Sequence, residues 1–460
     1  MKYILSLAYF LLNFQLAPLA QTKQDKRLLN QVDELLTEKY NPNTPACVVL
    51  VARKGQIIYQ KAVGMANIEL GVPSRTDMVF RIGSITKQFT AVALLQLVEQ
   101  GKISLQDSLQ KFVPVFSNKG RITIENLLTH TSGIVDYQVL DFHIPNAIRI
   151  DFPVKQLIDS LAKLPLIFAP NSKYGYSNSN YLLLGQIIER VSGMSYQTYL
   201  QEHILKRAGL FNTYYDSPTQ LIKNRVNGYK NGQNGYANID YLSMNQVFSA
   251  GALLSTVGDL FQWHQALYAN KLLKKESLEK AFTPFKLAEG RLSEYGYGWF
   301  IRDWKGSPSI GHGGAIDGFR SMEMYLPEQD LYIAALMNAE DDSFFSFSET
   351  ILDKLTSQER SSAYKDLTLS DDVLNRYVGK YVYVADSTES LRVYKEGDRL
   401  YCDLSNQSGM HMGLYAQSAT LFYLPVIRQK PTTIEFVVEG TQVRSAYWSQ
   451  QKRAEFRKTK

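Results

Sequence analysis

Leu28, Leu29, Val32, Leu35 and Leu36 recur at the three- and four-residue spacing of one helix face. Residues 23–39 therefore read as an amphipathic helix. Asn41-Pro42-Asn43-Thr44-Pro45 breaks it. Two strand-like runs follow, 46–53 and 56–63, and Lys54-Gly55 between them reads as a hairpin turn. From about 84 to 280 the apolar positions fall mainly at helical spacing, with polar loops between. Strand signals return at 296–303, 318–326 and 330–337, and residues 343–356 read as a closing helix. This order predicts an α+β fold. An antiparallel sheet forms from both ends of the region and is flanked by helices, and a mainly helical lobe is inserted between. It fits neither a doubly wound nucleotide fold nor an all-β sandwich.

The pattern changes after Leu355. Residues 357–367 are polar and read as a linker. Beyond them short β-like runs dominate: Tyr381–Val384, Leu391–Tyr394, Leu400-Tyr401, Ile434–Val438 and Val443–Trp448. Glu396-Gly397-Asp398 and Glu439-Gly440-Thr441 supply hairpin turns. Residues 368–460 are expected to form a small all-β domain, a barrel or a sandwich. At the other end, Lys2, an apolar stretch to about Leu16 and the small residues before Gln21 read as a cleavable signal peptide over residues 1–20. Asn13 and Gln15 interrupt that stretch, so it is a poor membrane anchor. The expected product is exported, periplasmic or extracellular, with no transmembrane span once the leader is removed. Its main domain covers residues 21–356.

Composition narrows the picture without naming an activity. Hydrophobic residues make up 45% and charged residues 20%, the balance of a folded globular chain. Fifty basic residues against 44 acidic ones leave a net charge of +6, too thin and dispersed to predict a nucleic-acid partner. Two cysteines exclude a disulfide-scaffold fold and a four-cysteine zinc site. Cys47 and Cys402 each sit in a strand-like run and read as buried thiols, with a bridge as the alternative. Six scattered histidines argue against a metal site. No nucleotide-binding fingerprint and no Gly-x-Ser-x-Gly elbow occurs, so no cofactor is expected.

What the chain does carry is Ser84-Ile85-Thr86-Lys87 at the head of an apolar helix. Ser84 and Lys87 are three residues apart, which places both on one helix face. A serine hydroxyl needs a neighbouring base to act as a nucleophile. Burial and the positive end of the helix dipole favour a neutral lysine that can take the proton. Alone, the motif reads as a serine cap followed by a solvated lysine, because four-residue matches arise by chance. Two further motifs accompany it. Tyr176-Ser177-Asn178 precedes a second apolar helix, and His312-Gly313-Gly314-Ala315 opens a strand leading to Met322–Leu326. A tyrosine near a lysine can shuttle protons, and an asparagine amide can hold a substrate carbonyl.

Taken together and in this order, the three motifs resemble the serine β-lactamase-like family, the class C β-lactamases, DD-peptidases and penicillin-binding-protein-like hydrolases. Leu127–Ile134 (Leu-Leu-Thr-His-Thr-Ser-Gly-Ile), Ala250–Leu260 and Tyr295-Gly296-Tyr297-Gly298-Trp299 add to the likeness, which covers about residues 25–355. The final hundred residues resemble, more loosely, the β-rich domain often appended to such hydrolases. The resemblance implies that Ser84 is acylated, Lys87 is its base or proton relay, and Tyr176 is the second proton-transfer residue. Asn178 would orient substrate, and His312, Gly313 and Gly314 would form the substrate-binding strand. The backbone N–H groups of Ser84 and Ala315 would make the oxyanion hole.

The sequence departs from the dedicated β-lactamases at His312-Gly313-Gly314, where they usually carry Lys-Thr-Gly. A histidine supplies only part of a lysine's charge near neutral pH, so efficient penicillin hydrolysis is not expected. The expected activity is that of an exported serine hydrolase acting on an amide or ester, either a small molecule or a peptide, cell-wall fragments included. The alternative is a non-catalytic or slowly acylating penicillin-binding sensor that keeps the pocket. His130 with Ser132 offers a rival nucleophile pair, and against it stands a His130 that fixes its own loop by a hydrogen bond. Trp299 and its tyrosines read equally as cleft lining or as core. The basic tail (Lys452, Arg453, Arg457, Lys458, Lys460) reads as a solvated strand end.

Overall fold

The computed structural model describes residues 23–142, 150–233, 235–304, 307–356, 367–385, 387, 389–404, 412–424, 432–440, 442–449 and 453–459. The expected leader, 1–20, lies outside the described residues, as does the expected linker apart from Leu367.

Six antiparallel strands form the main sheet. Their order is Phe300–Trp304, Ser307–Ile316, Phe319–Leu326, Leu331–Met337, Cys47–Arg53 and Gln56–Val63. The amino-terminal hairpin thus joins the later strands through Cys47–Arg53, which pairs with Leu331–Met337 from Cys47 opposite Met337 to Arg53 opposite Leu331. The sheet is built from both ends of the region, as the hydrophobic pattern predicts.

Two of its interior strands, Leu331–Met337 and Cys47–Arg53, read as unbroken apolar runs because both faces are covered. Side chains alternate across a strand. Cys47, Val49 and Val51 join Ile333, Ala335 and Met337 on one face, under the helices Lys23–Lys39 and Ser343–Thr356. Val48, Leu50 and Ala52 join Tyr332, Ala334 and Leu336 on the other, in the larger core with the helices Thr86–Glu99 and Val257–Tyr268. Most of the remaining helical lobe, including Asn178–Ser192 and Met244–Gly251, packs into that second core.

One local expectation needs correcting. His312–Ala315 does not open the strand that contains Met322. It occupies the second half of a strand of its own, Ser307–Ile316, which turns at Asp317-Gly318 and pairs back on Phe319–Leu326 with His312 opposite Glu323. The glycines at 311, 313 and 314 remove the side chains that periodicity reads, so this strand is silent in the pattern.

The carboxyl-terminal region closes into an eight-stranded antiparallel barrel, preceded by one short helix, Asp371–Tyr377. Three of its strands, Met412–Ala416, Leu421–Leu424 and Arg453–Lys458, escape the sequence pattern. Closure pairs Gly379–Tyr383 with Arg453–Lys458, so the basic tail supplies the closing strand. Cys47 and Cys402 are both free and buried, in different cores. No described helix is long and apolar enough to cross a membrane.

Candidate active site

Ser84 lies in a single tight turn, Gly83–Ile85, that runs directly into the helix Thr86–Glu99. Every residue from Thr86 to Leu97 is buried, as an all-round apolar helix requires. The turn is held against the strand Ser307–Ile316. Gly83 adopts φ 47°, and a Cβ there would stand 3.2 Å from the Ala315 backbone. Gly314 is packed still more tightly, since a Cβ on it would come 2.1 Å from the Ile82 carbonyl oxygen. These glycines bring the backbones at Ser84 and Ala315 side by side.

Lys87 is fully buried. Its Nζ lies 3.0 Å from Ser84 Oγ, 2.8 Å from Asn178 Oδ1 and 2.8 Å from the Ala250 carbonyl oxygen. Asn178 Nδ2 donates to Asp136 Oδ2 at 3.0 Å, which fixes the amide with its oxygen toward Lys87. Two of the three neighbours can therefore only accept, and the serine hydroxyl can do either. That set accommodates an ammonium donating three hydrogens, and equally a neutral amine that donates two and turns its lone pair to the serine proton. Burial pulls the Lys87 pKa down to about 7, partly opposed by the Asp136 carboxylate.

Tyr176 places its ring 4.9 Å from Lys87 Nζ, and its hydroxyl interacts with the Ser84 side chain. Burial pushes its pKa well up, so the phenol keeps its proton through the neutral range.

The structure thus brings Ser84, Lys87, Tyr176, Asn178 and Ala315 together. Ser84, Asn178 and Ala315 line a cavity of about 270 Å³, with Tyr137, Gln246, Asp317, Arg320 and Glu340 among its other walls. His312 stands beside the site rather than in it. It is 4% exposed, accepts at Nε2 from the Tyr295 hydroxyl (2.9 Å), and donates from Nδ1 to the Gly313 carbonyl oxygen. Burial, reinforced by the nearby Lys87 charge, lowers its pKa to about 3. The partial positive charge expected of it at neutral pH is therefore absent. Gly313 turns the other way, toward Phe345.

Ser132 donates to Asn180 Oδ1 at 2.6 Å, and His130 Nδ1 accepts from the Ser177 backbone N–H at 3.2 Å. The rival pair is not joined. Trp299, Tyr295 and Tyr297 are core residues, each 2% exposed or less.

Two participants escape the sequence reading. Asp136 accepts from both the backbone N–H (2.6 Å) and the side chain of Asn178, so it caps a helix that begins 42 residues later in the chain. The Ala250 carbonyl is the second. Phe248, two residues before it, departs from helical geometry at φ 37°, ψ −130°, a conformation costing of order 1–3 kcal/mol in a non-glycine residue. Strain of that kind leaves no periodic signal.

A family model described as Beta-lactamase matches residues 30–357. Penicillin-binding protein 4* of Bacillus subtilis is 31% identical over 444 residues, 90% of this chain and 95% of that protein. Among solved structures, the octameric penicillin-binding protein homologue from Pyrococcus abyssi has a TM-score of 0.65 at 24% identity, covering 94% of this chain and 99% of that one. A D-stereospecific amidohydrolase from Streptomyces sp. has a TM-score of 0.60 at 26% identity, covering 71% of this chain and 97% of its own. By the family model over residues 30–357 and the 31% identity across nearly the whole chain, the chain belongs to the β-lactamase family, serine hydrolases of the β-lactamase and penicillin-binding-protein type.

Proposed function

We propose that the protein hydrolyses an amide or ester through an acyl-enzyme at Ser84. The observation that carries this reading is the threefold contact of the buried Lys87 amine with Ser84, Asn178 and Ala250. In the proposed cycle Ser84 Oγ attacks the substrate carbonyl and passes its proton to neutral Lys87. The backbone N–H groups of Ser84 and Ala315 hold the oxyanion, an arrangement in which each donor is worth ~3–4 kcal/mol in the transition state. Tyr176, protonated, gives its proton to the departing amine or alkoxide as the C–N or C–O bond breaks, and is reprotonated from Lys87. A water then attacks the acyl-enzyme carbonyl as Lys87 takes its proton, and the C–Oγ bond breaks as that proton is returned to Ser84 Oγ.

The charges around the cavity bear on the substrate. His312 is neutral where the dedicated β-lactamases carry a lysine. Arg320 is committed to Asp342 (2.8 Å) and to the Phe319 carbonyl oxygen (2.9 Å). Asp317 and Glu340 place carboxyl groups on the same cavity wall. These features support amides and esters that do not depend on a recognised carboxylate, over penicillins. The likeness to a D-stereospecific amidohydrolase and to the D-aminopeptidase of Brucella anthropi supports peptide-type amides. The basic start and apolar run of residues 1–20 support export to the periplasm or beyond the cell.

Intact-mass measurement after exposure to a fluorophosphonate, a penicillin and p-nitrophenyl acetate tests the proposal. The fluorophosphonate and the ester are expected to add mass at Ser84 quickly and the penicillin slowly. Ser84→Ala is expected to lower turnover by roughly 10⁴-fold or more. Absence of any adduct on Ser84, or equal turnover by Ser84→Ala, would refute it.

A further inference from the structure

We infer that His130 is a positioning residue for Tyr176. This inference rests on the acyl-enzyme reading. The two peptide N–H groups that flank Tyr176 both end on His130. Gly175 N–H donates to the His130 carbonyl oxygen at 2.9 Å, and Ser177 N–H donates to the ring Nδ1 at 3.2 Å. The ring itself lies against the Tyr176 ring, with centroids 4.3 Å apart and planes 33° apart. One residue therefore holds the tyrosine by the backbone on each side and by its aromatic face.

The imidazole is arranged for this task and for no proton transfer. Nδ1 faces two N–H donors, those of Ser177 and of Asn180 Nδ2 (3.2 Å each), so the ring proton sits on Nε2. Asn180 is oriented in turn by Ser132, whose hydroxyl donates to its Oδ1. Nε2 is buried with no hydrogen-bond partner among the described residues, amid the rings of Tyr174, Tyr176, Tyr181 and Tyr295. Burial, with Lys87 nearby, keeps the ring neutral. The backbone at His130 is left-handed, φ 56°, a conformation histidine and asparagine tolerate better than most residues. Two costs are thus accepted at one residue, an orphaned donor and an unusual backbone. Their common result is a fixed Tyr176 beside Lys87 and Ser84.

A matched pair of amide substitutions separates positioning from bulk. In His130→Asn the amide oxygen can stand near the Nδ1 position, within reach of Ser177 N–H. In His130→Gln it stands near Nε2 and leaves that N–H unpaired. Acylation by p-nitrophenyl acetate is followed in a single turnover for wild type, H130N, H130Q, Y176F and H130Q/Y176F, with thermal melts of each. H130Q is expected to acylate roughly 100-fold more slowly, the cost of a small misplacement at a reacting group, and H130N to recover most of the rate. If His130 acts through Tyr176, H130Q/Y176F is no slower than Y176F alone.

Equal rates in H130N and H130Q, or a double variant slowed by the product of both factors, would overturn the inference. So would a folded H130N beside an H130Q that does not fold, because the acceptor would then serve folding alone. A wild type that forms no acyl-enzyme would instead refute the underlying reading, and the inference with it.

Discussion

At Lys87 one side chain carries the chemistry because, among the described residues, no counter-ion touches the amine. Its neighbours are a hydroxyl, an amide oxygen and a carbonyl oxygen, and the Asp136 carboxylate stands behind Asn178, hydrogen-bonded to its amide. The rate of acylation should therefore rise with pH along a limb centred near 7, as Lys87 loses its proton. Stopped-flow acylation across pH 5–9 checks this. Asp136→Asn removes the charge that favours the ammonium form, so the limb should move to lower pH. Lys87→Arg should cost roughly 10²–10⁴-fold, because a guanidinium cannot be deprotonated in this range.

Between elements, the strand Phe319–Leu326 and the helix Thr86–Glu99 share a buried polar link that the mechanism does not use. Trp263 Nε1 donates to Gln88 Oε1 at 2.9 Å, and Gln88 Nε2 donates to Glu323 Oε1 at 2.5 Å. Burial raises the Glu323 pKa to about 8, against an ordinary 4.5. The sign follows from proton counting. Between pH 4.5 and 8 the folded chain holds a proton there that the unfolded chain has lost, so this residue makes stability fall as pH rises. Glu323→Gln keeps the acceptor for Gln88 and removes the titration. Its stability relative to the wild type should grow with pH across that window, to as much as roughly 4 kcal/mol. Urea unfolding at pH 5 and at pH 8 measures it, and an equal difference at both would contradict the assignment.

Across the whole molecule, the barrel and the main sheet share a core. Tyr415 and Tyr423 from the barrel are buried in the same apolar cluster as Trp304, Met322 and Phe347. Arg399 pairs with Asp353 at 2.9 Å with both side chains largely buried, and its guanidinium lies 4.2 Å from the Tyr415 ring centre. Tyr423 also donates to Asp303. A shared core predicts one calorimetric unfolding transition for the full chain. Tyr415→Ala should cost about 3–5 kcal/mol and split the transition in two. Two transitions already in the wild type would show that the barrel folds independently.

Much of the architecture is written locally. The helices at 23–39 and 343–356 and the hairpin at 46–63 could be read because one-sided burial imposes a helical period and two-sided burial an unbroken apolar run. Ser84, Lys87, Tyr176 and Asn178 could be picked out because three motifs, each unremarkable alone, resemble in combination and order those of the serine β-lactamase-like family. The glycine-rich strand at 307–316 and three barrel strands could not, since their pairing is set by partners distant in the chain rather than by their own side chains. What only the tertiary structure decided is charge. His312 is an ordinary histidine in sequence and a neutral one at 4% exposure. Lys87 is an ordinary lysine in sequence and an amine near pH 7 in place. Asp136 and Ala250 enter the site from loops and a strained turn that no periodicity marks. Protonation depends on burial and on neighbours drawn from far along the chain, and those exist only once the chain has folded.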